Sequence, residues 1–232
     1  MISRKRSLQC ISYSSAKRLD VKKPIRIVSS LPSRLNDLKQ APHTDNPHQY
    51  LMKCLDRQGI NAKVQRFDAV KDLFEEPTQN EIDAYGFEAL DAVRSRDIEK
   101  LRGFLKEGRP LKCSNRFGES ILHLACRKGY FDVVEFLVKE GNVPVWVKDD
   151  FGRTPLSDAC WTIEPNFELM DILLEKAPDL LLVSDARGHT PLAYARREHW
   201  GKWIDYLKGK EQDLKPRKLN LQSEEVEGPG AK

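Results

Sequence analysis

A motif of eight or nine residues recurs along this chain, and its spacing constrains the fold more than any other feature. Residues 118–126 (GESILHLAC) align with residues 152–160 (GRTPLSDAC) and with residues 188–195 (GHTPLAYA), and a weaker copy lies at 89–93 (ALDAV). The alanines of the four copies, 33, 34 and 36 residues apart, are Ala92, Ala125, Ala159 and Ala195. Self-similarity at this period indicates an array of stacked structural repeats.

A second pattern follows each copy of the motif. Residues 133–138 (VVEFLV), 169–174 (LMDILL) and 203–207 (WIDYL) share it, and residues 100–105 (KLRGFL) fit it loosely. Apolar residues at i, i+1, i+4 and i+5 predict a broad stripe on one amphipathic helix. Each unit is therefore a short helix of small residues, a turn, a longer helix and a hairpin-like loop.

The ends of the short helices carry their own signals. Thr154 and Thr190 are expected to cap them, each followed by a proline at the first helical position, where a missing N–H costs nothing. In the copy at 118–126, Ser120 is the expected cap. Two extra residues lengthen the connection at 161–166 (WTIEPN), and we expect that insertion to bulge outward because both flanking helices keep their patterns.

These residues resemble the ankyrin repeat, whose period is about 33 and whose signature is Thr-Pro-Leu-His-x-Ala. The resemblance covers residues 85–208, about four repeats, and implies an all-α solenoid. Residues 47–77 and the run 197–203 are also similar to algal ankyrin-repeat proteins, a resemblance that implies no function. In the family, partners bind a concave groove lined by loop tips and by the exposed side of the first helices.

Four segments are predicted along the chain. They are a disordered basic tail (1–46), a helical N-terminal capping segment (47–77), the repeat domain (78–210) and a disordered C-terminal tail (211–232). Within the capping segment, apolar spacing predicts one helix around 50–55 and another over 64–74, together covering the open face of the first repeat. A capping box at 78–81 (TQNE) starts the next helix.

Composition narrows the function classes. The chain has 232 residues and a net charge of +4, but residues 1–47 alone hold ten basic and three acidic side chains. No apolar run approaches the ~20 residues of a membrane helix, so no membrane role is expected. The basic tail has three interpretations: a nuclear import signal, an organellar transit segment or a solvating arm. A cytoplasmic or nuclear location is expected, and the transit segment stays open.

Catalytic and metal chemistry find little support. The five cysteines form no Cys-x-x-Cys pair, and reduced thiols are expected. His123 and Cys126 have ligand-like i, i+3 spacing, but no further ligands converge, so His123 is predicted to tie loop and helix backbones together. Gly201-Lys202 lacks the upstream glycines of a phosphate loop. No metal, no cofactor and no enzymatic activity are therefore predicted.

The candidate site is a partner-binding surface. Mapped onto the groove of the resembled family, the helix ends and loop tips contribute Arg94, Arg116, Phe117, Arg127, Lys128, Asp150, Phe151, Trp161, Arg187, Arg196 and Arg197. Arg127, Trp161 and Arg197 are predicted to form a row, with the arginines binding an acidic or phosphorylated peptide and the indole anchoring it. The alternative is a solvated charged rim, with both phenylalanines closing their loops against a neighbour.

The predicted function is non-catalytic protein recognition, as an adaptor or scaffold with an unknown protein partner and a monomeric state. The alternative is a nucleic-acid-associated or regulatory nuclear protein, in which only the basic tail contacts nucleic acid.

Overall fold

The computed structural model describes residues 45–217 and residue 219, and almost all of the predicted basic tail (1–46) lies outside them. The described residues fold into short helices with two very short strands. In chain order these are α1 (Pro47–Arg57), β1 (Gln65–Arg66), α2 (Gln79–Asp83), α3 (Phe87–Ser95), α4 (Ile98–Lys106), α5 (Ile121–Lys128), α6 (Phe131–Glu135), α7 (Pro155–Cys160), α8 (Phe167–Lys176), β2 (Val183–Ser184) and α9 (Trp200–Gly209).

The helices pair as the repeat predicts, in an all-α stack. α3 and α4 form the first unit, α5 and α6 the second, α7 and α8 the third. The first helices lie side by side, with α5 between α3 and α7. Ala92, Ala125 and Ala159 are buried at these contacts, where a side chain of one carbon lets neighbouring helices approach closely.

The second helices form the other layer of the stack. α6 packs beside α8 and continues into a π-helical turn (Phe136–Glu140). Aromatic side chains connect α8 to α9 in this layer. Phe167 of α8 stacks on Tyr206 of α9 with the ring centroids 4.6 Å apart, and it meets Trp203 of α9 edge-on at 5.2 Å. Trp203 is 1% exposed, so this aromatic contact belongs to the core.

The first helix of the fourth unit differs from the prediction. Instead of an α-helix, the structure has a 3-10 turn (Pro191–Tyr194), a break, and a second 3-10 turn (Arg197–His199). Ala195 is extended at ψ 128°, and its carbonyl accepts a hydrogen bond from Trp200 Nε1 at 3.0 Å. The indole thus takes the carbonyl that a continuing helix would use.

The N-terminal segment also departs from expectation. α1 is the predicted helix, begun by a capping box between Asn46 and Gln49. The second predicted helix, over 64–74, is wrong: those residues form β1, a turn and the 3-10 helix Lys71–Leu73. β1 pairs in parallel with β2, so a partner far along the chain overrides the local helical pattern.

The position of α1 corrects the predicted cap. Instead of covering the first repeat, α1 packs against α9 and the turn Pro191–Tyr194, at the opposite end of the stack. Thr190 does not cap its own helix through its side chain; its hydroxyl is 3.0 Å from His48 Nδ1 of α1. An apolar stripe such as that of Leu51 and Leu55 requires burial but does not specify the covering partner.

The packing also continues beyond the predicted boundary at residue 210. Tyr50 donates a hydrogen bond to Glu211 Oε1 at 2.8 Å, and Leu214 and Leu219 are 4% and 5% exposed. The amides of Arg217 and Leu219 both donate to Asp179 Oδ1. Residues 211–217 and 219 therefore belong to the packed domain instead of a free tail.

Candidate partner-binding groove

The loop tips at the mouth of the groove are built alike in three repeats. Asn115, Asp149 and Asp185 each accept two backbone amides on one side-chain oxygen, from the residues two and four positions ahead, at 2.8–3.1 Å. Adjacent loops are linked as well, since Asp150 N donates to Phe117 O and Ala186 N to Phe151 O, both at 2.8 Å. The tips are therefore rigid platforms for the residues between these bonds.

The two predicted phenylalanines lie on these tips. Phe117 and Phe151 are 49% and 48% exposed, and each ring has a guanidinium over it, from Arg116 at 4.7 Å and Arg153 at 5.3 Å. Their carbonyls join the loops, but their rings remain half in solvent. The exposed side chains of Asp150 and Arg187 complete the tips.

A charged cluster lies where the loops meet the first helices. Arg127 bonds Glu119 and lies 3.4 Å from Asp158 Oδ2, while Arg153 Nη2 pairs with Asp149 Oδ2 at 2.6 Å. Burial raises the pKa of Asp158 to about 7, although Arg127 and Arg153 pull it down. Arg127 is therefore neutralised within the chain, which weakens its predicted role as a free cation.

His123 has the predicted structural role. Its Nδ1 accepts a hydrogen bond from Ser120 N at 3.1 Å, so Nε2 carries the proton and donates to Arg153 O at 3.1 Å. Ser120 caps α5 as expected, in a capping box with His123. Burial lowers the pKa of His123 to about 4, so the ring is neutral at pH 7. This imidazole joins a helix start to the next loop.

The insertion in the third repeat bulges outward, as predicted, and is firmly held. Trp161 is 49% exposed and Ile163 is 74% exposed. His199 Nε2 donates to Ile163 O at 2.7 Å, and Lys202 pairs with Glu164 at 3.0 Å. Two exposed apolar side chains are thus presented on a segment fixed by the next repeat.

An open cleft of about 650 Å³ lies beside the insertion. It is lined by Arg127, Lys128 and Gly129 at the end of α5 and by Thr162, Ile163, Glu164, Pro165, Asn166, Phe167 and Glu168. Apart from Arg127, its charged side chains are Lys128 and Glu168, which have no ion pair among the described residues, and Glu164, which is paired with Lys202. The cleft has an apolar wall and one free charge of each sign.

The predicted row of Arg127, Trp161 and Arg197 is not continuous. Arg197 begins a separate 3-10 turn, and its guanidinium lies 5.8 Å from the Trp200 ring. Arg196 precedes that turn, 3.8 Å from Glu198. Exposed Arg94, on the last turn of α3, has no ion pair within the described part of the chain. The break after Tyr194 moves both arginines out of the helical register on which the row depended.

Sequence reasoning missed Ile163, Glu119, Asp158 and Arg153. A signal for Asp158 was present, because it puts a charge in a segment of small, apolar residues, where the copy at 118–126 has Leu124. In the described residues, no group of three or more His, Cys, Asp or Glu could hold a metal ion. Cys54, Cys113, Cys126 and Cys160 are buried and free. No helix in this part of the chain is long and apolar enough to cross a membrane.

Paired helices joined by rigid, projecting loops, repeated side by side, define a helical repeat solenoid with a groove. Residues 89–184 match the family model of ankyrin repeats in three copies, so this part of the chain consists of ankyrin repeats. Ankyrin repeats generally mediate protein–protein interactions and are not themselves enzymes.

Individual relatives match only in part. The liver isoform of mitochondrial glutaminase from Rattus norvegicus is 36% identical over 110 residues, 47% of this chain and 18% of the glutaminase. The ankyrin repeat-containing protein F37A4.4 of Caenorhabditis elegans is 36% identical over 52 residues, 22% of this chain and 4% of its own length. The SMC5-SMC6 complex localization factor protein 1 of Bos taurus is 33% identical over 79 residues, 34% of this chain and 7% of that protein. The chain spans less than a fifth of each relative's length.

Proposed function

We propose that this protein is a non-catalytic recognition module, an adaptor or scaffold, that binds a protein partner at the cleft beside Trp161 and Ile163. The observation that carries the proposal is the exposure of both side chains on an insertion fixed by His199 and Lys202. Exposed apolar groups on a rigid segment lose little entropy on binding, which favours their use as anchors.

The charges at this edge support an acidic or phosphorylated ligand. Lys128 lines the cleft, and Arg94 lies on the last turn of the first helix of an earlier repeat; neither has an ion pair in the described residues. Arg197 is exposed over Trp200. An apolar side chain of the partner against Ile163 in the cleft, with its acidic neighbour toward Lys128 and away from Glu168, satisfies both the apolar wall and the free cation, and Trp161 offers a second apolar contact beside the cleft.

Peptide-display selection with the full chain, followed by affinity measurement on the selected peptides, tests this assignment. Trp161→Ala combined with Ile163→Ala should weaken binding at least tenfold, because few interface residues carry most of the binding energy. Phe87→Ala is the matched control, since Phe87 is 76% exposed but lies on α3, away from the cleft. Equal affinities for the double variant and the control would reject the cleft as the site.

A role in nucleic-acid binding is the second candidate, supported by the ten basic and three acidic side chains of residues 1–47. Binding through counterion release falls steeply with salt. Removal of residues 1–44 should abolish nucleic-acid binding if the tail carries it, and should leave binding of the selected peptides intact.

A further inference from the structure

Residues 65–76, here called the strap, cross the loops of the repeats from the fourth toward the first. Phe67 N donates to Ser184 O at 2.9 Å, before the fourth repeat, and Glu75 N donates to Trp146 O at 3.0 Å, before the third. The Glu75 carboxylate then reaches Lys112 Nζ, before the second repeat, at 2.5 Å. One segment, formed by β1, a turn and the 3-10 helix Lys71–Leu73, therefore contacts three successive loops in order.

Two aromatic side chains attach the strap to these loops. Phe67 packs directly on Gly152, where a Cβ atom would lie 2.3 Å from the ring. Phe74 is 6% exposed and meets the Trp146 ring edge-on at 5.4 Å. The Lys148 ammonium lies 5.9 Å from one phenylalanine ring and 6.0 Å from the other. The surface between the loops thus accepts two aromatic rings seven positions apart, with a cation between them.

Acidic side chains complete the attachment at the strap's end. Glu75 pairs with Lys112, and Glu76 pairs with Lys148 at 2.9 Å. Regular backbone pairing is limited to the two residues of β1 against β2. Most strap side chains between the two phenylalanines are exposed, Val70 being the buried exception. The contacts that hold the strap are those a separate peptide could make: two aromatic rings, the buried Val70, two acids and a few main-chain hydrogen bonds.

We infer that the surface formed by Lys112, Trp146, Lys148, Gly152 and Ser184, here called the loop track, is a peptide-binding site whose resident ligand is the strap. Its exchange ligand is a segment of a partner protein with two aromatic residues seven positions apart, followed by acidic residues, that adopts the same strand and turn. None of the track residues lines the cleft beside Trp161, so the inference is independent of the proposed function.

Because the strap is part of the same chain as the loop track, its covalent attachment determines whether a partner segment can replace it. A segment attached to its own site has an effective concentration in the millimolar range, so a free peptide of equal intrinsic affinity competes poorly. Weakening the strap removes this advantage and leaves the track vacant for the competitor. Phe67 is the suitable residue to change, because it is half-buried whereas Phe74 and Val70 are buried.

The first experiment measures binding of a fluorescent synthetic peptide of residues 64–77 (VQRFDAVKDLFEEP) to the full chain. The Phe67→Ala chain should bind it at least tenfold more tightly than the wild type does. Lys63→Ala is the matched control, since Lys63 is exposed and has no hydrogen bond or ion pair in the described region. The same peptide with both phenylalanines changed to Ala should not bind. Failure of the Phe67→Ala chain to bind, with its helical circular dichroism retained, overturns the inference.

The second experiment uses the unmodified chain, so it does not depend on whether a variant folds. Hydrogen exchange should show the amides of Phe67 and Glu75 exchanging at least 100-fold faster than those of α5, because the strap opens locally while the stack stays folded. Exchange of the strap amides at the rate of α5 would show that the strap leaves only on global unfolding, and would overturn its role as a replaceable ligand.

Discussion

Asp158 and His123 are buried titratable residues on the neighbouring first helices α7 and α5, and acidification changes the stability of the fold through them in opposite directions. Burial raises the pKa of Asp158 to about 7 and lowers the pKa of His123 to about 4. Between pH 4 and 7 the folded state holds a proton on Asp158 that the unfolded state releases, so this group adds stability as the pH falls. His123 does the reverse below about 6.5, where only the unfolded state takes up its proton.

Asp158→Asn should therefore change the pH dependence as well as the stability. At pH 8 the variant should be more stable than the wild type by roughly 1–2 kcal/mol, because the buried charge is gone and each pKa unit corresponds to about 1.4 kcal/mol. Toward pH 5 the difference should shrink, and the variant should lose stability on acidification through His123. Thermal melts at pH 5, 6, 7 and 8 check this; a constant difference across the range would contradict it.

His123→Ala should destabilise the fold by about 2–4 kcal/mol, because it removes the hydrogen bonds of the ring with Ser120 N, Ser120 Oγ and Arg153 O and leaves the buried Ser120 N without an acceptor. Ser157→Ala is the control at the equivalent position of the third repeat, where the hydroxyl makes two long hydrogen bonds, both at 3.4 Å and both to Thr154, and none to the next loop. Urea unfolding of both variants at pH 7 makes the comparison. Equal losses would show that the imidazole bridge contributes nothing specific.

At the scale of elements, substitutions at Gly152 and Gly188 distinguish the free-energy cost of backbone strain from that of disturbing the strap. Both have positive φ, 79° and 82°, and both precede a first helix or turn. A Cβ at Gly152 would lie within 2.4 Å of two Phe67 ring atoms, whereas one at Gly188 meets nothing within 4 Å. Gly152→Ala should therefore cost at least ~1 kcal/mol more than Gly188→Ala, in addition to the shared strain of about 1 kcal/mol. Similar unfolding midpoints for the two variants would mean that Phe67 moves away from the new methyl group at little cost in stability.

The repeat elements were predictable because their signals are local. Period, capping residues and buried alanines recur in each copy, so α5 and α7 begin and end near the predicted positions. The strap was not predictable in this way. Val70 and Phe74 are buried and Phe67 is half-buried, so these apolar residues do face the protein. Their spacing fits a helix, but it also fits a strand followed by a turn. The second structure forms here, with Phe67 N bonded to Ser184 O.

The candidate site was predictable only in outline. Trp161 is exposed on the insertion as expected, because a lengthened loop between two helices that keep their packing can only project into solvent. The pairing of Arg127 with Glu119 and Asp158 was not foreseen, because ion pairs depend on how adjacent repeats stack. The displacement of Arg197 follows from the break after Tyr194, where Trp200 Nε1 bonds Ala195 O, and no periodic pattern indicates that break.

For the whole molecule, the C-terminal boundary can be tested by truncation. A chain of residues 45–210 should be less stable than one of residues 45–219, by several kcal/mol, because it loses Glu211 and the burial of Leu214 and Leu219. Full burial of a leucine contributes about 1.5–3 kcal/mol. Calorimetry on the two chains measures the difference. Coincident melting temperatures would place the end of the domain at residue 210, as the sequence alone suggested.

The placement of α1 has a consequence for how the domain folds. Repeat arrays ordinarily need only contacts between neighbours, so they can nucleate at any unit and fray from either end. Here Tyr50 bonds Glu211, 161 positions away, and His48 bonds Thr190, 142 positions away. Such contacts raise the contact order of a fold that is otherwise local, and the entropy of closing so long a loop is expected to slow folding. Because the fourth repeat packs against α1, it gains a cooperativity with the capping segment that an open array of helix pairs does not have.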